Sequence, residues 1–305
     1  MILREFPDHK RAGFDTGGSD PKQGWPNMVI KAVGHDVSYT EHSGPLSIKC
    51  AFGGREYYRV DGTTMAADDE GFVVLNEGQI YSSRIPSGPP VESFCVFFHS
   101  AFVHDVLSSQ VRASDLLLSH ATRHGLQQPV TFFDRRYRYT PAISRRIGEM
   151  RRGIENGVTD NTWLEASLRS LLVSMLTLHR GLRSEIESLN AVRVSTRAEL
   201  YRRLCHARDV IESLFHQPLT VHQLAEVAYL SPHHFLRQFK QLFGETPHQM
   251  LRRRRLEEAR RLLRARNDSV ADICHTIGFE STGSFTTLFA RTFGVPPDQW
   301  RRRRR

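Results

Sequence analysis

The sequence predicts an α+β chain of two domains: a β-rich first domain with packed helices over residues 1–190, and an all-helical second domain over 199–305, joined by a linker at 191–198. Three observations carry this. The 305 residues exceed what one ordinary domain of roughly 100–200 residues holds. Charge is unevenly divided: from Glu199 onward 19 Lys and Arg stand against 11 Asp and Glu, while the rest of the chain holds 23 against 22. Apolar residues alternate in short runs up to Phe98 and recur at about 3.6 residues thereafter.

Residues 1 to about 27 contain Gly17, Gly18, Pro21 and Pro26 and read as a loose lead-in. Strands follow at Met28–Val33, Leu46–Phe52, Glu56–Val60, Phe72–Asn76, Ile80–Ile85 and Glu92–Phe98. Gly53-Gly54, Asp61-Gly62 and Ser87-Gly88-Pro89-Pro90 punctuate them as tight turns, which predicts a small antiparallel β-barrel or sandwich. Helices are expected at Phe102–Leu118, Ile143–Ile154 and Asp160–Leu189. In the last of these Leu164, Leu168, Leu171, Met175, Leu178 and Leu182 recur every third or fourth residue, as in a coiled-coil seam. Such a stripe predicts either a dimerisation helix, making the chain a homodimer, or a helix packed on its own barrel, which the flanking Leu172 and Leu176 equally suit. Residues 191–198 lack apolar periodicity and read as the linker.

Several classes are disfavoured. Cys50, Cys95, Cys205 and Cys274 form no C-x-x-C pair and suit neither a disulfide framework nor a zinc cluster. Residues Met1–Lys10 carry Arg4, Glu5 and Asp8 with no apolar core, which predicts no secretory signal and a cytoplasmic protein. The apolar stretch Leu164–Leu182 is broken by Arg169, His179 and Arg180, so no membrane span is expected. His99 with His104, and His120 with His124, lack the acidic partner of an H-E-x-x-H site, so no metal or other cofactor is expected. Neither a G-x-S-x-G elbow nor a phosphate-binding loop is present, and the chain is read as no enzyme.

The strongest signal is an internal repeat. Phe235, Phe239, Phe243, Gly244 and Pro247 spell F-x3-F-x3-F-G-x2-P, and Phe285, Phe289, Phe293, Gly294 and Pro297 spell it again fifty positions later. Aromatics at every fourth position make one buried helix face, Gly supplies a left-handed cap, and Pro opens the next helix. Upstream of each copy lies a short helix, one from Thr220 through Ala228 and one from Ser269 through Ile277. Helix, short turn and helix, twice over 220–243 and 269–293, make a tandem helix-turn-helix. Between the units Pro247–Arg266 predicts a helix roughly 30 Å long. One turn of B-DNA rises about 34 Å, so the two units suit successive major grooves and a basic partner-binding domain suits duplex DNA better than a membrane.

Leu219–Arg301 resembles the DNA-binding domain of the AraC family. The resemblance rests on the L-A-x-x-A helix, on S-P-x-x-F-x-R-x-F-K-x-x-x-G-x-x-P through Pro247, on R-x-x-x-A at Arg255 and Ala259, and on I-G-F-E-S through Ser281. It implies a regulator that binds promoter double-stranded DNA, activates or represses transcription, and has RNA polymerase as a further partner. Val91–Val103 is similar to the end of the cupin-like barrel of many such regulators, which implies a domain that senses a small-molecule effector. A barrel that only dimerises, and a cupin-type enzyme fused to a DNA reader, remain open beside it.

With the phenylalanines facing inward, His233, Leu236, Arg237 and Lys240 form the outward stripe of the first recognition helix, and His234 lies in its first turn. Arg237 suits a guanine edge, Leu236 a thymine methyl, and His234 a phosphate. The second copy departs from the basic pattern, presenting Gly283, Thr286, Thr287 and Ala290 with Ser284 beside them, and is expected to supply shape and methyl contacts. Arg252–Arg255 and Arg301–Arg305 read as solvated or generally phosphate-attracting surface.

Overall fold

The computed structural model describes residues 1–7, 26–117, 131–133, 135–187, 194–265 and 267–302, which divide into two compact units, Met1–Ala198 and Glu199–Arg305. In the first unit the strands are β1 (Ile2–Leu3), β2 (Met28–Gly34), β3 (Val37–Ser43), β4 (Ser47–Phe52), β5 (Glu56–Val60), β6 (Thr63–Ala67), β7 (Gly71–Leu75), β8 (Ile80–Ile85), β9 (Val91–Phe97) and β10 (Arg136–Arg138). They form a six-stranded sheet ordered β1-β2-β9-β4-β7-β10 and a four-stranded sheet ordered β3-β8-β5-β6. Among the described residues the sheets are linked only by the isolated bridge Asp68–Gly71 at the turn from β6 to β7 and do not close on each other, so of the barrel and the sandwich expected from the alternation the architecture is a sandwich. Alternation reports which side chains face inward and is blind to whether a sheet closes on itself.

Face assignment follows the two-residue period. On β4, Ile48 and Cys50 point toward the helices, while Lys49 and Ala51 point between the sheets; on β7, Phe72 and Val74 take the first face, Val73 and Leu75 the second. Strands buried on both faces read as unbroken apolar runs, which is why they stand out in the sequence. β3 and β6 do not: they are the edges of the smaller sheet, and the VSYTEHS of β3 alternates half-buried and exposed positions. Between β5 and β6, Asp61 at φ 47° and Gly62 at φ 76° both occupy the left-handed region, as a two-residue type I′ hairpin turn requires.

The helices are α1 (Ser100–Leu117), α2 (Pro141–Glu155) and α3 (Asn161–Glu187). Thr140 caps α2, accepting from the Ile143 amide ahead of Pro141 at the first helical position, and the Asp160 carboxylate accepts from the Trp163 amide at 2.7 Å to open α3. The Trp163 ring then packs on Gly153, where a Cβ would lie 2.3 Å from it. The proposed dimerisation stripe is corrected here. Leu164, Leu168, Leu171, Met175 and Leu182 are buried in the core that α3 shares with the six-stranded sheet and α2, and Leu178 packs against it half-buried. A core stripe and an interhelical seam have the same spacing, and the flanking Leu172 and Leu176, also buried, widen this one into a core face. No helix among the described residues is long and apolar enough to cross a membrane.

Leu171 is fully buried, and an unpaired carboxylate there is strongly destabilising. Leu171→Asp is therefore expected to unfold the first unit, seen as loss of its cooperative thermal transition. A folded, monomeric variant in sedimentation would restore the stripe as a dimer surface.

Candidate nucleic-acid interface

All regular structure of the second unit is helical: α4 (Val194–Leu214), which enters it at Glu199, α5 (Val221–Val227), α6 (Pro232–Phe243), α7 (Pro247–Ala265), α8 (Val270–Thr276), α9 (Thr282–Phe293) and α10 (Pro297–Arg302). The expected linker is partly corrected, since from Val194 the chain is already helical; residues 191–193 lie outside the described ones. Glu199 accepts from Arg202 and Arg203 one turn on, bonds that hold its carboxyl down to about 2 and support a helix start that has no apolar stripe.

The repeat in sequence is a repeat in geometry. Thr220 and Gln223 form a capping box that opens α5, and Ser269 and Asp272 form one that opens α8. Each short helix has seven residues and each following helix twelve. Phe235 meets Phe239 at 5.3 Å and Phe239 meets Phe243 at 4.6 Å; the second copy repeats this with Phe285–Phe289 at 5.7 Å and Phe289–Phe293 at 4.6 Å. Gly244 and Gly294 end α6 and α9 in the left-handed conformation, at φ 75° and 79°. The turns differ. Tyr229 stands left-handed and exposed where the second unit has Gly278, and Glu280 makes the second turn one residue longer. These are the tight turns that the sequence places at Tyr229-Leu230 and Gly278-Phe279, between the short helix and the phenylalanine-rich one.

Both units hang on a frame built from α4 and α7. Arg254, nearly inaccessible, lies 3.5 Å from Glu212 of α4 and 3.3 Å from Glu258 on its own helix, with its guanidinium 4.4 Å over the Phe215 ring. Arg253 pairs with Glu245 and Glu257, and these carboxylates hold its charge despite burial. Arg255 donates to the carbonyls of Phe215 and Gln217 at 2.7 and 2.9 Å. The reading of Arg252–Arg255 as solvated surface is thus corrected for three of the four, which are held by carboxylates within two turns of the same helix or by Glu212, Phe215 and Gln217 some forty residues upstream. Arg301 likewise donates to the Asp268 carbonyl, Arg302 is exposed, and residues 303–305 lie outside the described ones.

Against these committed cations the outward face of α6 is distinct. His233, Leu236, Arg237 and Lys240 are exposed along one side and His234 is half-buried in the first turn. Among the described residues, Arg237 and Lys240 form no hydrogen bond or ion pair. On α9, Gly283, Ser284 and Thr287 are exposed, and Thr286 and Ala290 half-buried. The Thr287 hydroxyl donates to the Gly283 carbonyl at 3.0 Å, which turns its methyl outward as the polar end satisfies its own helix. Ser281 caps α9, leaving the Ser284 amide bonded to its hydroxyl at 3.4 Å. The structure therefore brings all of these candidate DNA-contacting residues onto the second helix of their respective units. Only the first set carries strong donors that nothing in the fold uses.

Residues 224–303 match the family model described as a helix-turn-helix domain. The chain is 39% identical over 102 residues to the HTH-type transcriptional activator RhaS of Escherichia fergusonii, covering 33% of this chain and 37% of that protein. It is 34% identical over 91 residues to the HTH-type transcriptional regulator YobQ of Bacillus subtilis, 30% of this chain and 38% of that one, and 36% identical over 83 residues to a putative AraC-like transcription regulator of Streptomyces lividans, 27% of each. The C-terminal unit is an AraC-type helix-turn-helix domain. Among solved structures, the DNA-binding domain of AdpA in complex with a target DNA is 31% identical over 32% of this chain and 89% of that one, with a TM-score of 0.32. The matched segment spans little more than a third of the first of these relatives, 38% of YobQ and 37% of RhaS, and lies in the AraC-type domain.

The two turns of the AraC-type domain predict unequal tolerance. Gly244 has open space around its Cβ position, whereas a Cβ on Gly278 would lie 2.6 Å from the His216 carbonyl oxygen. Gly244→Ala is expected to destabilise by about 1–2 kcal/mol through the left-handed conformation alone, and Gly278→Ala by clearly more. Denaturant midpoints of the two variants check this; equal losses would show that the loop 216–217 yields.

Proposed function

We propose that the chain is a sequence-specific DNA-binding transcription regulator of the AraC family, which reads promoter DNA chiefly through α6 and responds to a small molecule through its first unit. The carrying observation is the uncommitted stripe His233, Leu236, Arg237 and Lys240 on the second helix of a capped, twice-repeated helix-turn-helix whose other arginines are largely tied into the fold. A guanidinium held on an exposed helix face suits the two acceptors of guanine, and an ammunition of nearby charge is not needed for that; Lys240 suits a phosphate. The second unit supports reading by shape and methyl contact through Gly283, Ser284, Thr286 and Thr287. The helix between the units, 19 residues and about 28 Å long, is compatible with entry into successive major grooves on one face of a duplex. The first unit, a two-sheet sandwich capped by helices, is read as the counterpart of the cupin-like sensor domain. Contact with RNA polymerase at the promoter belongs to the same reading, and pairing with a second copy would use a face other than the buried stripe of α3.

Selection of preferred sites from a random duplex library separates the roles. Arg237→Ala is expected to broaden the motif at one base pair, with a loss of about 1–3 kcal/mol. Lys240→Ala is expected to weaken all sequences alike and flatten the salt dependence without changing the motif. Thr287→Ala should do less than either. A motif unchanged by Arg237→Ala but lost with Thr287→Ala would place the dominant reader on α9, and a chain with no preference for any duplex would remove the proposal.

A further inference from the structure

The interior of the sandwich holds two opposite charges that are not paired with each other. Lys49 comes from β4 of the larger sheet and Glu56 from β5 of the smaller; they are 3% and 4% exposed and line the same inter-sheet cavity. Among the described residues they form no ion pair with one another. The Lys49 ammonium donates to the Tyr81 hydroxyl at 3.1 Å and lies 3.9 Å over the Phe97 ring, yet an ammonium has three donors. Glu56 engages Ser93, Tyr58 and Ser83, while its Oε2 is buried with no hydrogen-bond partner. Burial pushes the Glu56 carboxyl up; it also opposes the Lys49 charge, but Tyr81, Cys95 and Glu56 outweigh it and hold that pKa above the ordinary lysine value. A pair of ionisable groups removed from water and left incompletely satisfied is costly, and a fold that needed only stability would place apolar side chains there.

The cavity measures about 40 Å³, room for about three waters and so the bulk of a three-carbon acid. Resting on the reading of the first unit as a sensor, we propose that this cavity binds a small organic acid that carries a hydroxyl or amino group, its carboxylate on the Lys49 ammonium and Tyr81 hydroxyl and its second group donating to Glu56. The carboxylate supplies the acceptor that Lys49 lacks, and the hydroxyl or amine supplies the donor that Glu56 Oε2 lacks. A ligand with only one of these groups leaves one buried charge as it was.

The test is calorimetric titration of the full chain with lactate and serine, against propionate, which lacks the donor, and glycerol, which lacks the carboxylate. Lactate or serine should bind about tenfold or more tightly than both controls, as expected for one charge-assisted hydrogen bond. Lys49→Met should lose this binding by about tenfold or more while unfolding, unliganded, at a higher temperature than the parent, because an incompletely paired buried charge is gone. Glu56→Gln, which keeps the shape, should narrow the gap between lactate and propionate. Lactate and serine binding no better than the controls, or a Lys49→Met chain that melts lower and still binds lactate as the parent does, would overturn the assignment. Binding of the same preparations to promoter-length duplex DNA is read separately. DNA binding without acid binding defeats only the ligand site, and acid binding without DNA binding defeats only the regulator.

Discussion

A single guanidinium, that of Arg254, sits where the two long helices of the C-terminal unit meet. It is almost wholly withdrawn from water, between Glu212 of α4 and Glu258 of α7 and over the ring of Phe215. Such a cluster stabilises little in net terms when complete, but removing one partner leaves a buried charge and costs about 3–5 kcal/mol. What it contributes is register: Glu258 stays beside Arg254 however α7 turns, so it is the reach to Glu212 and over the Phe215 ring that fixes the rotation of α7 against α4. α7 joins the two helix-turn-helix units, so the direction in which α6 leaves one end and α8 enters the other is set from this point. Arg261 on Glu258 and Arg253 on Glu212 extend the same network. Arg255, one residue on, ties the loop at Phe215 and Gln217 down beside Gly278.

Much of this unit was legible in the sequence because each of its rules is local. A phenylalanine at every fourth position, a serine or threonine before each helix and a glycine after it act within one or two turns, and the capped helices end where those residues stand. What was not legible depends on distant partners. The arginines at 253, 254 and 255 look alike in a row of four, and nothing nearby says that Glu212 and the Phe215 carbonyl wait some forty residues upstream. The leucine stripe of α3 was ambiguous for a related reason, since a helix face is apolar whether it meets its own sheet or another chain. Strand β3 was missed because an edge strand keeps one side wet and loses the unbroken apolar run, and β6 because its buried TTMAA is made of small and polar residues that carry little strand signal. Lys49 was passed over inside an otherwise apolar strand; a lone lysine between Ile48 and Cys50 was the sign of a polar interior.

The two units show how one backbone serves two kinds of contact. Their lengths, glycine C-caps and i,i+4 phenylalanine packing agree closely, and the largest difference between α6 and α9 lies in the outward side chains. On α6 long cationic chains extend from the helix without intramolecular partners. On α9 the corresponding surface is short, and Thr287 turns its hydroxyl back on Gly283. On the proposed reading, such a close, uncharged surface would approach a groove wall more nearly than a bulky one and discriminate by fit instead of by charge.

The exposure of Gly283, Ser284 and Thr287 also bears on how such a protein changes over time. No side chain of the core leans on these positions, while Phe285 and Phe289, which hold the helix in place, face the other way and are fully buried. Substitutions on the outer surface of α9 can therefore accumulate with little effect on folding; on the proposed reading, in which α6 is the dominant reader, each would alter which sequences fit while Arg237 and Lys240 hold the molecule to DNA. Under that proposal, a duplicated module with one anchored copy and one unconstrained copy would be a means of drifting toward new promoters without passing through a form that binds none.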